Sequence, residues 1–223
     1  MSISKALILV ILLVLLMPQA LPAQTSSPGP ASTRVQYDAV KDFSITANPN
    51  GVWTYGWTSS LGSPLTPYTV TDNTSFIPGL SSWLRSGTPP DAPDVGHNLE
   101  GVRICYLSFC VPPNDLHLHP GPNGEYSVVR WTAPSSGTIV IQGVFEGLDS
   151  GGPTSTDVHV LHNSSHSLLR GPINSYRQPL AFSGILLRVV AGDTIDFAVG
   201  FGNNGTHYYD STGIRFVVTR LGP

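Results

Sequence analysis

Charge is what this chain has least of: Lys, Arg, Asp and Glu together make up 11% of its 223 residues, and the net charge is -3. Eleven Lys and Arg against fourteen Asp and Glu leave no basic field to hold a phosphate backbone or an anionic bilayer, which excludes nucleic acid as a partner. Cysteine is limited to Cys105 and Cys110. Neither stands where a lipoprotein signal would need one, and a metal-binding Cys quartet is excluded because a second pair is missing. Long apolar runs are limited to residues 6–17, so no later segment predicts a membrane span. Catalytic signatures are missing too: there is no Gly-x-Ser-x-Gly elbow, no His-Glu-x-x-His helix and no phosphate-cradling Gly-x-x-x-x-Gly-Lys loop. Glu100, Glu125 and Glu146 are the only glutamates, and sequence alone does not set the separation a glycosidase pair would need.

What is present begins with Lys5, the apolar run from Ala6 to Met17, Pro18, and the small-residue stretch Ala20-Leu21-Pro22-Ala23. That layout predicts a secretory signal peptide over 1–23, cut after Ala23. Residues 24–36 are polar, small and Pro-bearing, which predicts a flexible leader, and the single domain is expected over 37–223. Gly and Pro, 23 and 20 of them, are spread along the chain and punctuate short segments. Strand-like runs recur between turn signals at 42–46, 52–57, 68–71, 102–107, 126–132, 138–145, 157–162, 180–190, 194–200 and 213–220. Ile195, Phe197 and Val199 alternate with Asp196 and Ala198, and Ile214, Phe216 and Val218 with Arg215 and Thr219, so one face of each strand turns inward. An all-β, two-sheet β-sandwich of jelly-roll-like topology is the expected fold. Pro78, Pro89, Pro90 and Pro93 predict a long surface loop over 77–98.

Four segments carry a resemblance: Asp42-Phe43-Ser44 with Asn48 to Gly56, Leu118 to Trp131, Thr156 to Val160, and Gly192 to Gly200. Together they resemble the β-sandwich domains of exported bacterial proteins that occur ahead of a PEP-CTERM type surface-sorting tail. The resemblance implies a sandwich fold and export over nearly the whole domain, and implies no activity. The sequence stops at Thr219-Arg220-Leu221-Gly222-Pro223 without a sorting helix or basic tail, which favours free secretion.

Several residues are candidates for chemistry. Trp53, Tyr55 and Trp57 recur with period two and share one face of a strand, either as core or as a platform on which sugar rings stack. Trp83 stands in the Pro-rich loop and is the single best candidate for ligand contact. His117 with His119, and Asp157 with His159, are pairs of the same spacing. If their strands adjoin, three imidazoles and a carboxylate would hold Zn, Cu or Fe; otherwise they hydrogen-bond loops to a sheet. Asp210 precedes the last strand and with Asp42 or Asp38 would supply carboxylates for a structural calcium, or else forms an Asx-type turn. Cys105 and Cys110 are read as a local disulfide in an oxidising compartment.

These readings converge on a secreted, non-catalytic module that binds carbohydrate or another cell-surface polymer. A metal-dependent enzyme acting on extracellular polymers through His117, His119, Asp157 and His159 is the alternative. A structural matrix protein without a discrete ligand is a third.

Overall fold

The computed structural model describes residues 34–85 and 93–222; the expected signal peptide and most of the expected leader lie outside them. In chain order the strands are β1 (Val35–Asp38), β2 (Trp53–Thr58), β3 (Thr66–Pro67), β4 (Val70–Asn73), β5 (Leu80–Leu84), β6 (Asp94–Asn98), β7 (Ile104–Tyr106) and β8 (Phe109–Val111). There follow β9 (Leu116–His119), β10 (Tyr126–Thr132), β11 (Gly137–Gly147), β12 (Thr156–His162), β13 (His166–Ile173), β14 (Pro179–Val189), β15 (Thr194–Gly200) and β16 (Thr212–Arg220). Every ladder between them is antiparallel.

Two sheets form a β-sandwich. One runs β14-β11-β16-β9-β6-β5-β4, with β1 added beside the C-terminal half of β16; the other runs β13-β12-β15-β10-β2-β3. Neighbours in each sheet are mostly distant in sequence, so the chain passes repeatedly from one sheet to the other in the jelly-roll manner. The inner faces meet along the expected alternation: Ile214, Phe216 and Val218 from β16 pack with Ile195, Phe197 and Val199 from β15. Phe197 and Phe216 stack across the interface with ring centroids 3.5 Å apart.

Three local expectations are corrected. Residues 42–46 are not a strand: the Asp38 carboxylate accepts the N–H groups of Val40 and Lys41, and Ser44 Oγ accepts those of Thr46 and Ala47, so the backbone is held in turns. The stretch 77–98 is not one long loop, since it contains β5 and β6 paired in register, Leu80 opposite Asn98 and Leu84 opposite Asp94. Pro78 and Pro93 flank these strands and cost no ladder hydrogen bond, while Pro89 and Pro90 lie outside the described residues. Ordered pairing also begins at Val35, before the expected domain start at Tyr37, because Val35 to Asp38 lie against Arg220 to Val217.

Strand β9 reaches both sides of its sheet. Its Leu116 and Leu118 point into the main core, so His117 and His119 project from the opposite, outer face of the eight-stranded sheet. On that outer face Ile77, Leu80, Ile104, Val111 and Leu148 form a second, small core. The β7–β8 hairpin, closed by the Cys105–Cys110 disulfide between directly paired residues, packs on it through Tyr106 and Phe109.

Candidate functional site

A pocket opens on this outer face, enclosing about 160 Å³. His117, His119 and Asp94 form its floor, and Phe76, Tyr106, Phe109, Tyr208 and Tyr209 stand around it, with Asp149 also in the lining. Register explains the floor. His117 lies opposite Gly96 on β6 and opposite Gly213 on β16, so neither cross-strand neighbour carries a side chain on that face. A Cβ on Gly96 would approach Ser82 Oγ to 2.6 Å, and one on Gly213 would approach Leu148 Cδ2 to 3.0 Å. The two glycines thus let the small core close in around the imidazole, while Phe109 stacks over it at 5.1 Å and 19°. Rings then continue from His117 to His119 at 6.3 Å, to His207 at 5.6 Å and to Tyr208 at 4.4 Å.

The walls come from loops held to the sheet. Between the bonded cysteines the four residues Tyr106 to Phe109 all line the pocket, with Leu107 at the tip, 87% exposed and at φ 50°. The hairpin is docked on residues 148–150: Cys110 N–H donates to Leu148 O, and Ser150 N–H to Ser108 O. Tyr209 adopts φ 67°, a left-handed conformation that a bulky residue keeps only when its surroundings fix it. Here its carbonyl accepts the Thr154 hydroxyl at 2.9 Å, and its ring lies on Gly151 and Gly152, where a side chain would collide with it.

The floor has unspent hydrogen-bonding capacity. His117 is 3% exposed and Asp94 5%, and His117 Nδ1 lies 3.0 Å from Asp94 Oδ1. The pair is misaligned for a hydrogen bond, so Asp94 Oδ1 and both ring nitrogens of His117 lack one, a costly state for buried polar atoms. His119 Nδ1 lies 2.8 Å from the carbonyl of Pro120; donating there leaves Nε2 as an acceptor. Burial holds the His119 pKa down to about 4.

Asp210 lies behind this wall, fully buried. Its Oδ1 accepts the Ser155 N–H at 2.8 Å and the Thr156 hydroxyl at 3.0 Å, while Oδ2 has no hydrogen bond. Burial raises its pKa to about 6 despite those hydrogen bonds. A folded-state value above the unfolded 3.8 means the folded chain holds an extra proton between about pH 4 and 6, so this group makes stability fall as pH rises through that window. His119 works in the opposite sense: lowered from 6.5 to about 4, it makes stability fall as pH is lowered through the same window. Asp210→Asn is therefore expected to remove this opposition to His119 and make stability climb more steeply from pH 4 to 6 than in the unaltered protein, by on the order of 2 kcal/mol. Urea unfolding at a series of pH values checks this, and parallel profiles would refute it.

The structure disposes the sequence-predicted residues differently. Cys105 and Cys110 are bonded. Trp53 and Tyr55 are core, 1% and 0% exposed, which removes the platform reading because their face of β2 is the inner one. Trp57 shares that face but is only half-buried, and Arg85 lies over its ring at 5.1 Å while bonding Glu125 at 2.5 Å. Trp83 is not an exposed loop residue: it lies in β5, 7% exposed, and its Nε1–H donates to Ser44 O at 2.6 Å.

The metal constellation does not assemble. His117 and His119 are on β9 in one sheet, Asp157 and His159 on β12 in the other. His159 Nε2 lies 2.8 Å from Asp157 Oδ2, which also accepts the Tyr126 hydroxyl at 2.6 Å, while Oδ1 accepts the Gly202 N–H at 2.8 Å. Burial pushes the Asp157 carboxyl up, but these hydrogen bonds outweigh it and hold the pKa below its ordinary value. Asp42 and Asp210 do not share a cation site either: Asp42 Oδ2 is taken by the Asp38 N–H and the Trp53 Nε1–H, both at 3.1 Å. Among the described residues no group of three or more His, Cys, Asp or Glu is placed to hold a metal ion.

Asp94 and the five wall aromatics were not singled out by sequence reasoning. Tyr106 and Phe109 had a signal, lying between the two cysteines, and Tyr208 and Tyr209 precede Asp210. Asp94 had none, since it reaches His117 only through the β6–β9 register.

No model of a known protein family matches the chain, and no curated protein does. Solved structures similar to the chain include a CBM51 from Clostridium perfringens GH95, solved with methyl-galactose, at 11% identity and a TM-score of 0.36, covering 66% of this chain and 99% of that one. CBM35 from Cellvibrio japonicus Abf62 has 11% identity and a TM-score of 0.32, with 86% and 99% covered. A family 35 carbohydrate binding module from Clostridium thermocellum has 10% identity and a TM-score of 0.31, with 84% and 97% covered.

Proposed function

We propose that this chain is an exported, non-catalytic module that binds carbohydrate in the outer-face pocket. The observation that carries the reading is the pairing of five aromatic side chains with a floor of buried, unpaired polar atoms. A sugar ring is amphipathic in the same way: its C–H face packs on aromatic rings, and its hydroxyls both donate and accept. Asp94 Oδ1 and His119 Nε2 accept; the ring N–H of His117 donates. A ligand of that kind relieves the desolvation cost that these buried polar atoms carry.

Export rests on the signal-peptide pattern at 1–23, and the Cys105–Cys110 bond fits an oxidising compartment. Binding without turnover rests on the missing catalytic motifs. A glycan array followed by calorimetry on the mature chain tests the reading: a glycan bound, and recovered unchanged after incubation, supports it. No binding to any glycan would overturn it, and a cleaved glycan would overturn its non-catalytic part.

The disulfide bears on the same site. Its loop is short, so losing it through Cys105→Ser with Cys110→Ser is expected to cost about 2 kcal/mol of stability or less. The larger effect should fall on the ligand, because the enclosed residues are one wall of the pocket. Glycan affinity should drop at least fivefold in the double variant at a temperature where circular dichroism shows it folded. Unchanged affinity would separate the hairpin from the site.

A further inference from the structure

We propose, resting on the carbohydrate reading of this pocket, that the sugar it takes carries a free amino group: a terminal hexosamine residue whose ammonium is matched by the Asp94 and Asp149 carboxylates. Size is the first argument. About 160 Å³ falls well below the ~300 to 1,000 Å³ that enclose drug-sized ligands, leaving room for about one ring, and walls on several sides favour a chain end over a chain passing through.

Charge is the second. Asp94 and Asp149 both line the cavity, and among the described residues no Lys or Arg does. Asp94 is buried, and its Oδ1 accepts no hydrogen bond although His117 Nδ1 lies 3.0 Å away; Asp149, 6% exposed, accepts the Gly151 N–H at 3.2 Å. Buried carboxylates cost several kcal/mol unless a cation or a full set of donors meets them. His119 does not supply that charge, because burial keeps it neutral at pH 7.

The aromatic lining points the same way. Faces of Tyr and Phe attract a cation held within about 6 Å of the ring, and a ring of aromatics with acidic partners is the general means of recognising an organic ammonium. Phe76, Tyr106, Phe109, Tyr208 and Tyr209 surround the floor that holds Asp94. A neutral hexose would meet that floor with hydroxyl donors alone, an N-acetyl group would remove the charge and add bulk, and a uronate would bring a further carboxylate against Asp94 and Asp149.

Calorimetry on the mature chain with methyl glycosides of glucosamine and galactosamine, their parent hexoses, their N-acetyl forms and glucuronate tests the proposal, with choline as a sugar-free ammonium. At least one hexosamine is expected to bind tenfold or more tightly than its parent hexose, with glucuronate weakest. Asp149→Asn and Asp94→Asn should each pull that ratio toward one. Should Asp94→Asn fail to fold, Asp149→Asn and the selectivity of the unaltered protein still decide the matter. Hexoses bound as tightly as hexosamines would overturn this inference and leave the sugar pocket standing. Choline bound while every sugar fails, or no ligand bound at all, would overturn both.

Discussion

Tyr209→Ala is expected to lower affinity for the bound sugar by at least tenfold, and Phe109→Ala by as much. The two rings come from different loops and are pre-set differently. Tyr209 is fixed by its own backbone: the left-handed φ, the Thr154 hydroxyl on its carbonyl, and the two glycines beneath its ring all select one orientation. Phe109 is fixed by stacking on His117 and by the disulfide one residue later. A ligand meeting rings already in place pays little ordering entropy, which is why such anchors carry ~2 kcal/mol or more each, and ~1.4 kcal/mol is tenfold. Trp57→Ala is the comparison, since Trp57 lies under Arg85 and outside the pocket lining. Titration of all three variants with the glycan bound by the unaltered protein decides the matter. If Trp57→Ala loses as much as the other two, the glycan is not held in the outer-face pocket.

Trp53→Ala is expected to show the reverse pattern, a large loss of stability with little change in affinity of the folded protein. Trp53 is buried against the inner sandwich face, pairs across strands with Trp131, meets Phe216 edge-on at 5.5 Å, and donates its Nε1–H to Asp42. Truncation leaves a cavity and strands Asp42 Oδ2 with one donor fewer, and Trp→Ala in such a setting costs about 3 to 5 kcal/mol. For a domain of this size that lowers the melting temperature by roughly 10 °C or more. Trp83→Ala should behave in kind, losing its bond to Ser44 O as well as its packing. Calorimetric unfolding of both variants measures this; a loss under about 1 kcal/mol, the size of an ordinary surface change, would mean that these rings are not the packing they are taken for.

These two sets of variants also mark where sequence reasoning worked. Alternation in β15 and β16 was legible because every second residue there is apolar and both strands have one inner face, which is all a sandwich needs. The aromatic row of β2 had the right periodicity, but periodicity says which residues share a face and not which face is inside. Trp83 shows that a proline breaks a ladder only where it falls within one: Pro78 and Pro93 bound the β5–β6 pair and interrupt neither strand. His117 and His119 do point to one side of a strand, but the expected partners Asp157 and His159 sit in the other sheet. The true neighbour, Asp94, is supplied by a ladder between strands that are not consecutive in the chain, a relation that local pattern cannot encode. The cysteine pair was legible because its partners are five residues apart.

The pocket stands on its own small core, on the far side of the sheet from the main one. Recognition and scaffold therefore draw on separate reserves of folding free energy. Substitutions at Leu107, Ser108 or Tyr208, at the rim, change what the pocket meets without touching Trp131, Phe197 or Ile141, which are buried between the sheets. A lineage carrying this domain can change what the pocket accepts through a handful of loop residues while the sandwich stays folded, and a protein engineer can search the same loops with little risk to the whole.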